Sequence, residues 1–337
     1  MNRSHSSTEK HLHEDASLLA LIKECCNHKD LSKGARIHAH ILQKGSFFLA
    51  NNVFIATALV TMYAKCGALP KARDLFDQHL STFTRDLVAW TSLISGYSHH
   101  GFSEDALKCF DRMRNEGIHP DAFTFSCVLK ACGSTDDVVK GRIIHEEIIE
   151  DGIALDTLLG STLIDMYSKC GSMADAQQIF DTTHIKDSLK CTALITGYAR
   201  QGNTELVFHM FEKMKKEGIK PDEITFLSVL NACSHGGLVK KGQEYYMTMI
   251  REHGLISTIK HHSCMVDRLG RAGQLDEAIR MIKEMPVDPN VVVWHSLLGA
   301  CNTWGNVRLG RKVFETAHNL DTTDAASYVF MSNVYAC

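Results

Sequence analysis

The chain has 337 residues, 45% of them hydrophobic, and a formal net charge of −3. That composition is ample for a packed core, and with a pI near 6.7 it excludes a globally basic nucleic-acid binder, so any such contact must run along a local stripe. No apolar run approaches the ~18 residues of a membrane span, and five prolines suit a mostly helical chain.

Residues 1–14 lack the apolar core of a secretory signal. Glu9, Glu14 and the adjacent Asp15 interrupt any Ser- and Arg-rich transit peptide, so a disordered segment is expected there, with no clear transit peptide. Beyond it the chain repeats itself. Tyr63-Ala64-Lys65-Cys66-Gly67 returns as Tyr167-Ser168-Lys169-Cys170-Gly171, and Lys130-Ala131-Cys132 returns as Asn231-Ala232-Cys233. Gly117-Ile118-His119-Pro120-Asp121 returns as Gly218-Ile219-Lys220-Pro221-Asp222. Nearly equal long offsets mark an internal repeat, which outranks any single-motif reading. The offset divides by three, giving units 15–52, 53–86, 87–121, 122–156, 157–187, 188–222, 223–258 and 259–290, then 291–324 and a stub to Cys337.

In the unit 87–121, Leu93, Ile94 and Tyr97 share a face of a first helix that Gly101 ends. Ala106, Phe110 and Met113 then form a face at i, i+4, i+7 of a second helix, and Gly117 and Pro120 turn the chain. One such pair cannot bury its apolar faces alone, so neighbours must stack. The expected fold is all-α: a solenoid of about nine antiparallel helix hairpins with a concave groove. Most cysteines fall at repeat-equivalent positions, such as Cys66 with Cys170 and Cys132 with Cys233 and Cys301. They read as small packing residues rather than disulfides or metal ligands.

Two hairpin repeats compete. Trp90, Leu93, Tyr97, Ala106, Phe110 and Pro120 match the tetratricopeptide pattern, but Ile94 stands where that pattern needs glycine, as do Val60, Leu129, Ile164 and Ile195. Val88-Ala89-Trp90-Thr91-Ser92-Leu93-Ile94-Ser95-Gly96-Tyr97, the following Glu104-Asp105-Ala106-Leu107 and the Gly-Ile-x-Pro-Asp ending resemble the pentatricopeptide repeat family. Phe123 to Cys132 looks like its long variant and Leu163 to Gly171 like its short one, the alternation of the plant PLS subclass. Residues 291–337 resemble its E-type C-terminal region, cut short. The resemblance implies a right-handed solenoid that binds single-stranded RNA, one base per repeat, and is not itself an enzyme.

By the same resemblance, the fifth and last residues of each unit read the base. These are Thr57 with Asp86, Thr91 with Asp121, Ser126 with Asp156, Ser161 with Asp187, Thr192 with Asp222, and Ser263 with Asn290. Thr or Ser with Asp favours guanine, and with Asn favours adenine; Leu227, paired with Thr258, reads nothing. The alternative is that each Asp caps the next helix and each hydroxyl is a neutral surface group. The second residues Phe54, Val88, Phe123, Leu158, Leu189 and Ile224 would sandwich bases, against ordinary helix-start packing; Lys260 breaks the series. The thirteenth residues include Lys65, Lys169, Arg200 and Arg271, with His99 and His235 in register and Ser134 a gap. They would contact phosphate, against a simple preference of cations for helix C-termini.

His145-Glu146-Glu147 is the only tempting zinc-deaminase fragment, and no Cys-x-x-Cys completes it. No cofactor or metal is expected. The reading is a specificity factor in organellar RNA processing, with C-to-U editing as the process and a deaminase-bearing protein supplied in trans. The mitochondrion is favoured over the chloroplast, and no membrane contact is expected. The alternatives are a tetratricopeptide-like protein scaffold and a truncated copy of reduced function.

Overall fold

The computed structural model describes residues 2–43, 52–80, 84–183 and 186–336, with residues 2–14 described by backbone alone. Residues 44–51, inside the first expected repeat, lie outside that set. Every regular element among the described residues is an α-helix. The chain divides into two compact units, Met1–Ser172 and Met173–Cys337, and the division falls inside the repeat 157–187.

The first unit holds α1 (Asn2–His28), α2 (Leu31–Gln43), α3 (Val53–Lys65), α4 (Leu69–His79), α5 (Leu87–His99), α6 (Ser103–Asn115), α7 (Ala122–Thr135), α8 (Val138–Glu150) and α9 (Thr157–Lys169). α1, α3, α5, α7 and α9 pack side by side in a row. Each second helix lies against its own first helix and against the first helix of the next hairpin. α1 begins at Asn2, within the segment 1–14 whose backbone alone is described. No glycine or proline interrupts the chain before Lys29, whose φ of 52° ends the helix.

The second unit repeats the plan with α10 (Met173–Thr182), α11 (Ser188–Arg200), α12 (Thr204–Lys216), α13 (Glu223–His235), α14 (Val239–Arg251), α15 (Ile259–Arg271), α16 (Leu275–Lys283), α17 (Val291–Thr303), α18 (Val307–Leu320) and α19 (Ala325–Ala336). Here α11, α13, α15, α17 and α19 form the row.

The two helices of a hairpin differ in kind. A first helix is covered by its partner and by the first helices before and after it, so α5 buries Ala89, Trp90, Leu93, Ile94, Gly96 and Tyr97. A second helix buries one stripe; in α6 it contains the expected Ala106, Phe110 and Met113. The Trp90 ring meets Phe76 of the preceding hairpin edge-on at 4.5 Å. Gly101 (φ +83°) and Gly117 (φ +77°) have open space where a Cβ would be, so the left-handed backbone alone calls for glycine there. The described cysteines are free thiols. Burial pushes Cys132 and Cys264 up to about 12, which keeps both protonated in the packed array.

Arg268 departs from this pattern. It is 2% exposed, donates to the Val239 carbonyl, and leaves Nε and Nη2 without a hydrogen-bond partner among the described residues. The corresponding places in other repeats hold Met62, Gly96, Ala131, Met166, Ala232 and Ala300, all buried. A guanidinium kept from water without an acid costs more than a thioether of similar length. Arg268→Met should therefore raise stability by about 1–3 kcal/mol, read as a higher thermal midpoint by circular dichroism; an unchanged or lower midpoint would contradict it.

Candidate nucleic-acid interface

The last residue of each repeat caps the first helix of the next. Asp86, Asp121, Asp156, Asp187 and Asp222 have extended backbone, and each accepts through Oδ1 the N–H three residues on. The acceptor distances are 2.9 Å to Ala89, 2.7 Å to Thr124, 2.7 Å to Leu159, 3.0 Å to Lys190 and 2.8 Å to Thr225. Asn290 caps α17 in the same way, at 3.2 Å to Val293. The capping alternative is realised, and it pins each side chain at the mouth of a junction between hairpins. Thr258, at the equivalent place, bonds His261 instead, at 2.8 Å.

The second residues stand out from the core. Phe54 is 78% exposed, Val88 58%, Phe123 49%, Leu158 45%, Leu189 50% and Ile224 57%. Roughly half or more of each side chain is open to solvent. An apolar second residue is thus exposed in every repeat from 53–86 to 223–258, and Lys260 ends the series.

The fifth residues are the reverse. Thr57, Thr91, Ser126 and Thr192 are buried, and Ser161 and Ser263 are half-buried, so none is the neutral surface group of the alternative reading. Thr91 Oγ1 lies 2.7 Å from Thr124 Oγ1, and Thr192 Oγ1 lies 2.6 Å from Thr225 Oγ1. Ser126 donates to the Ala122 carbonyl and Ser161 to the Leu158 carbonyl, both at 3.0 Å. Leu227 is half-buried and carries no polar group.

Two cavities in the first unit bring these sets together. One, about 700 Å³, is lined by Val88, Thr91, Asp121 and Phe123 together with Lys65 and His99. The other, about 380 Å³, is lined by Phe54, Thr57, Asp86 and Val88. Each therefore holds a second residue, a fifth residue, a last residue and the next repeat's second residue, as the repeat arithmetic places them. Val88 serves both.

The cations sit in the last turns of the first helices. Lys65, Lys169, Arg200 and Arg271 are exposed. Lys169 pairs with Asp165 at 2.7 Å and Arg271 with Asp267 at 2.9 Å, each one turn back on its own helix. Burial, then nearby Lys130, holds His99 below the ordinary histidine range, so it adds no charge at neutral pH. His145 lies within α8, 3.0 Å from the Tyr167 hydroxyl. Among the described residues no three histidine, cysteine or acidic side chains could hold a metal ion.

Sequence reasoning missed Thr124 and Thr225. The available signal was the spacing Asp121-Ala122-Phe123-Thr124, repeated as Asp222-Glu223-Ile224-Thr225, an N-cap followed three residues on by a side chain able to reach back.

Models of the PPR repeat family match residues 85–134 and 186–235. PPR repeat models match residues 54–78, 161–182, 224–253 and 261–288. The chain belongs to the pentatricopeptide repeat family. It is 39% identical over 96% of its length to the Arabidopsis thaliana pentatricopeptide repeat-containing protein At4g16470, covering 63% of that protein. It is 37% identical over 95% of its length to pentatricopeptide repeat-containing protein CRR2, chloroplastic, of Arabidopsis thaliana, covering 48%, and 35% identical over 98% to the mitochondrial At3g02330 of the same plant, covering 38%. The chain thus spans roughly two fifths to two thirds of the length of these relatives. The crystal structure of the pentatricopeptide repeat protein PPR10 in complex with an 18-nt psaJ RNA element aligns with a TM-score of 0.72 at 18% identity, over 90% of this chain and 45% of that one. That likeness establishes the fold as the right-handed α-solenoid of stacked hairpins.

Because the last residues of these pentatricopeptide repeats are caps, their loss should cost stability whatever they bind. Asp222→Ala should destabilise by about 1 kcal/mol and Asp222→Asn by much less, since the amide oxygen still accepts. Thermal melts of the two variants test this, and equal midpoints would mean that the cap contributes nothing.

Proposed function

We propose that the protein binds single-stranded RNA, one base per repeat, and acts as a specificity factor in organellar RNA processing. The observation that carries this reading is a cavity lined together by exposed Val88 and Phe123 and by Thr91 and Asp121. An apolar side chain on either side gives a base two faces to stack on, worth about 1–3 kcal/mol per base for aromatic partners. A hydroxyl and a carboxylate between them meet its Watson–Crick edge. The same set of exposed second residue, fifth-position hydroxyl and capping residue recurs in the second unit as Leu189, Thr192 and Asp222. Relatives named chloroplastic and mitochondrial support an organellar site of action.

The finer reading is C-to-U editing by a member of the PLS subclass. Alternating long and short repeats and the E-like region 291–337 support it, with a deaminase-bearing protein supplying the chemistry in trans. The repeats select the RNA segment; no side chain of this chain is assigned to catalysis.

Two measurements test the binding mode. With Lys65, Lys169, Arg200 and Arg271 all on phosphate, log affinity against log salt should have a slope near −3, from roughly −0.7 per contact. Replacing the four by Ala should flatten it; an unchanged slope would return them to the helix-terminus preference. Thr192→Asn should move the preference at one RNA position from guanine to uracil by about 1–2 kcal/mol and leave other positions alone. Uniform weakening for all RNAs would show that Thr192 serves the fold only. Leu227→Asn should do little, because Thr258 supplies no carboxylate.

A further inference from the structure

Three recognition pairs of identical chemistry are wired in two ways. Thr124 Oγ1 lies 2.7 Å from Asp121 Oδ1, and Thr225 Oγ1 lies 2.7 Å from Asp222 Oδ1. A carboxylate only accepts, so the single hydroxyl proton of Thr124 or Thr225 is committed to it. The short contacts from Thr91 to Thr124 and from Thr192 to Thr225 then allow one proton order: Thr91 and Thr192 donate. At Thr225 the count is complete, since its oxygen also accepts the Asp222 N–H at 3.2 Å. Thr91 and Thr192 thus have no proton left and present only lone pairs. The pair Thr57 with Asp86 lacks this wiring. The place of Thr124 is taken there by Ala89, buried, and Thr57 Oγ1 has no hydrogen-bond partner among the described residues.

We propose that Thr124 and Thr225, each contributed by the following repeat, are specificity-determining positioning residues. By taking the proton of the fifth-position hydroxyl they turn the pairs Thr91–Asp121 and Thr192–Asp222 into two neighbouring acceptors. Guanine is the base whose Watson–Crick edge offers two adjacent donors, N1–H and N2–H. Adenine and cytosine each set one donor beside an acceptor, and uracil sets one donor between two carbonyls. An acceptor-only pair therefore takes guanine and repels the rest through facing lone pairs. Thr57, free to donate or accept, discriminates less although it too is partnered by an aspartate. Ser126 and Ser161 donate to helix carbonyls, a bond that rotation about χ1 can release; the buried threonine chain ends on a capped carboxylate and cannot switch alone. The proposal rests on the RNA-binding reading above.

The test is selection from a pool of random-sequence single-stranded RNA by the full chain, followed by sequencing. The wild-type protein should enrich guanine strongly at the positions read by Thr91 and Thr192, and clearly less at the position beside the first, read by Thr57. Thr124→Val should lower guanine enrichment at the Thr91 position roughly tenfold while the Thr192 position is unchanged. Thr225→Val should do the converse, and Thr124→Ser should restore the wild-type profile. Equal guanine enrichment at Thr57 and Thr91 in the wild-type protein would overturn the proposal, without relying on any variant folding. So would valine variants that melt at lower temperature yet keep their base preference, since these threonines would then be capping groups only. Absence of any enriched sequence with the wild-type chain would overturn the RNA-binding reading, a different result from binding without the expected contrast.

Discussion

The close approach of consecutive first helices governs the rest of the structure. A Cβ built on Gly96 would lie 2.7 Å from the Ala64 Cβ of the preceding first helix, and one on Gly270 would lie 2.6 Å from the Ala300 Cβ of the following one. At that spacing only small or apolar side chains fit between the helices, and any hydroxyl caught there must find a partner from the neighbouring helix. Thr61 with Ser92 at 2.7 Å and Thr196 with Ser228 at 2.8 Å are such pairs. What the packing leaves outside is the second residue, too near the helix start to be covered, and the last turn with its cation. The groove is what remains after the core has been satisfied.

The same packing makes each candidate site a property of a junction. The fifth residue belongs to one repeat, while its capping aspartate ends that repeat by fastening the next. The side chain linking the two, where there is one, comes from the next repeat. A single carboxylate caps a helix and, in the proposed complex, also meets the base, so a substitution there confounds the two roles unless the cap is preserved. Asparagine in place of aspartate separates them, because capping needs an acceptor oxygen and a negative charge is a further feature.

Charge follows the same economy. The protein is slightly acidic, yet cations recur at the ends of first helices, where unpaired carbonyls attract them. Two of them, Lys169 and Arg271, are held by acids one turn back. These exposed pairs are weak in water, so they orient the cations without locking them. A phosphate in the proposed complex would compete for the same N–H groups.

The amino-acid sequence alone determined the repeat, its register, the helix pair in each unit and the aspartate that ends it, because all of these are short-range and recur with the period. It also placed the apolar row, since the second residue of a capped helix has a fixed orientation relative to the cap. Periodicity did not reach the burial of Thr57, Thr91, Ser126 and Thr192, the threonine chains of Thr124 and Thr225, the start of α1 at Asn2, or the buried guanidinium of Arg268. The first two depend on which side chains of the next repeat arrive within hydrogen-bond distance, and Thr91 meets Thr124 only because two first helices lie side by side. Tertiary structure alone decided whether a hydroxyl facing the groove gives a proton or keeps it, because that depends on a partner supplied by another helix.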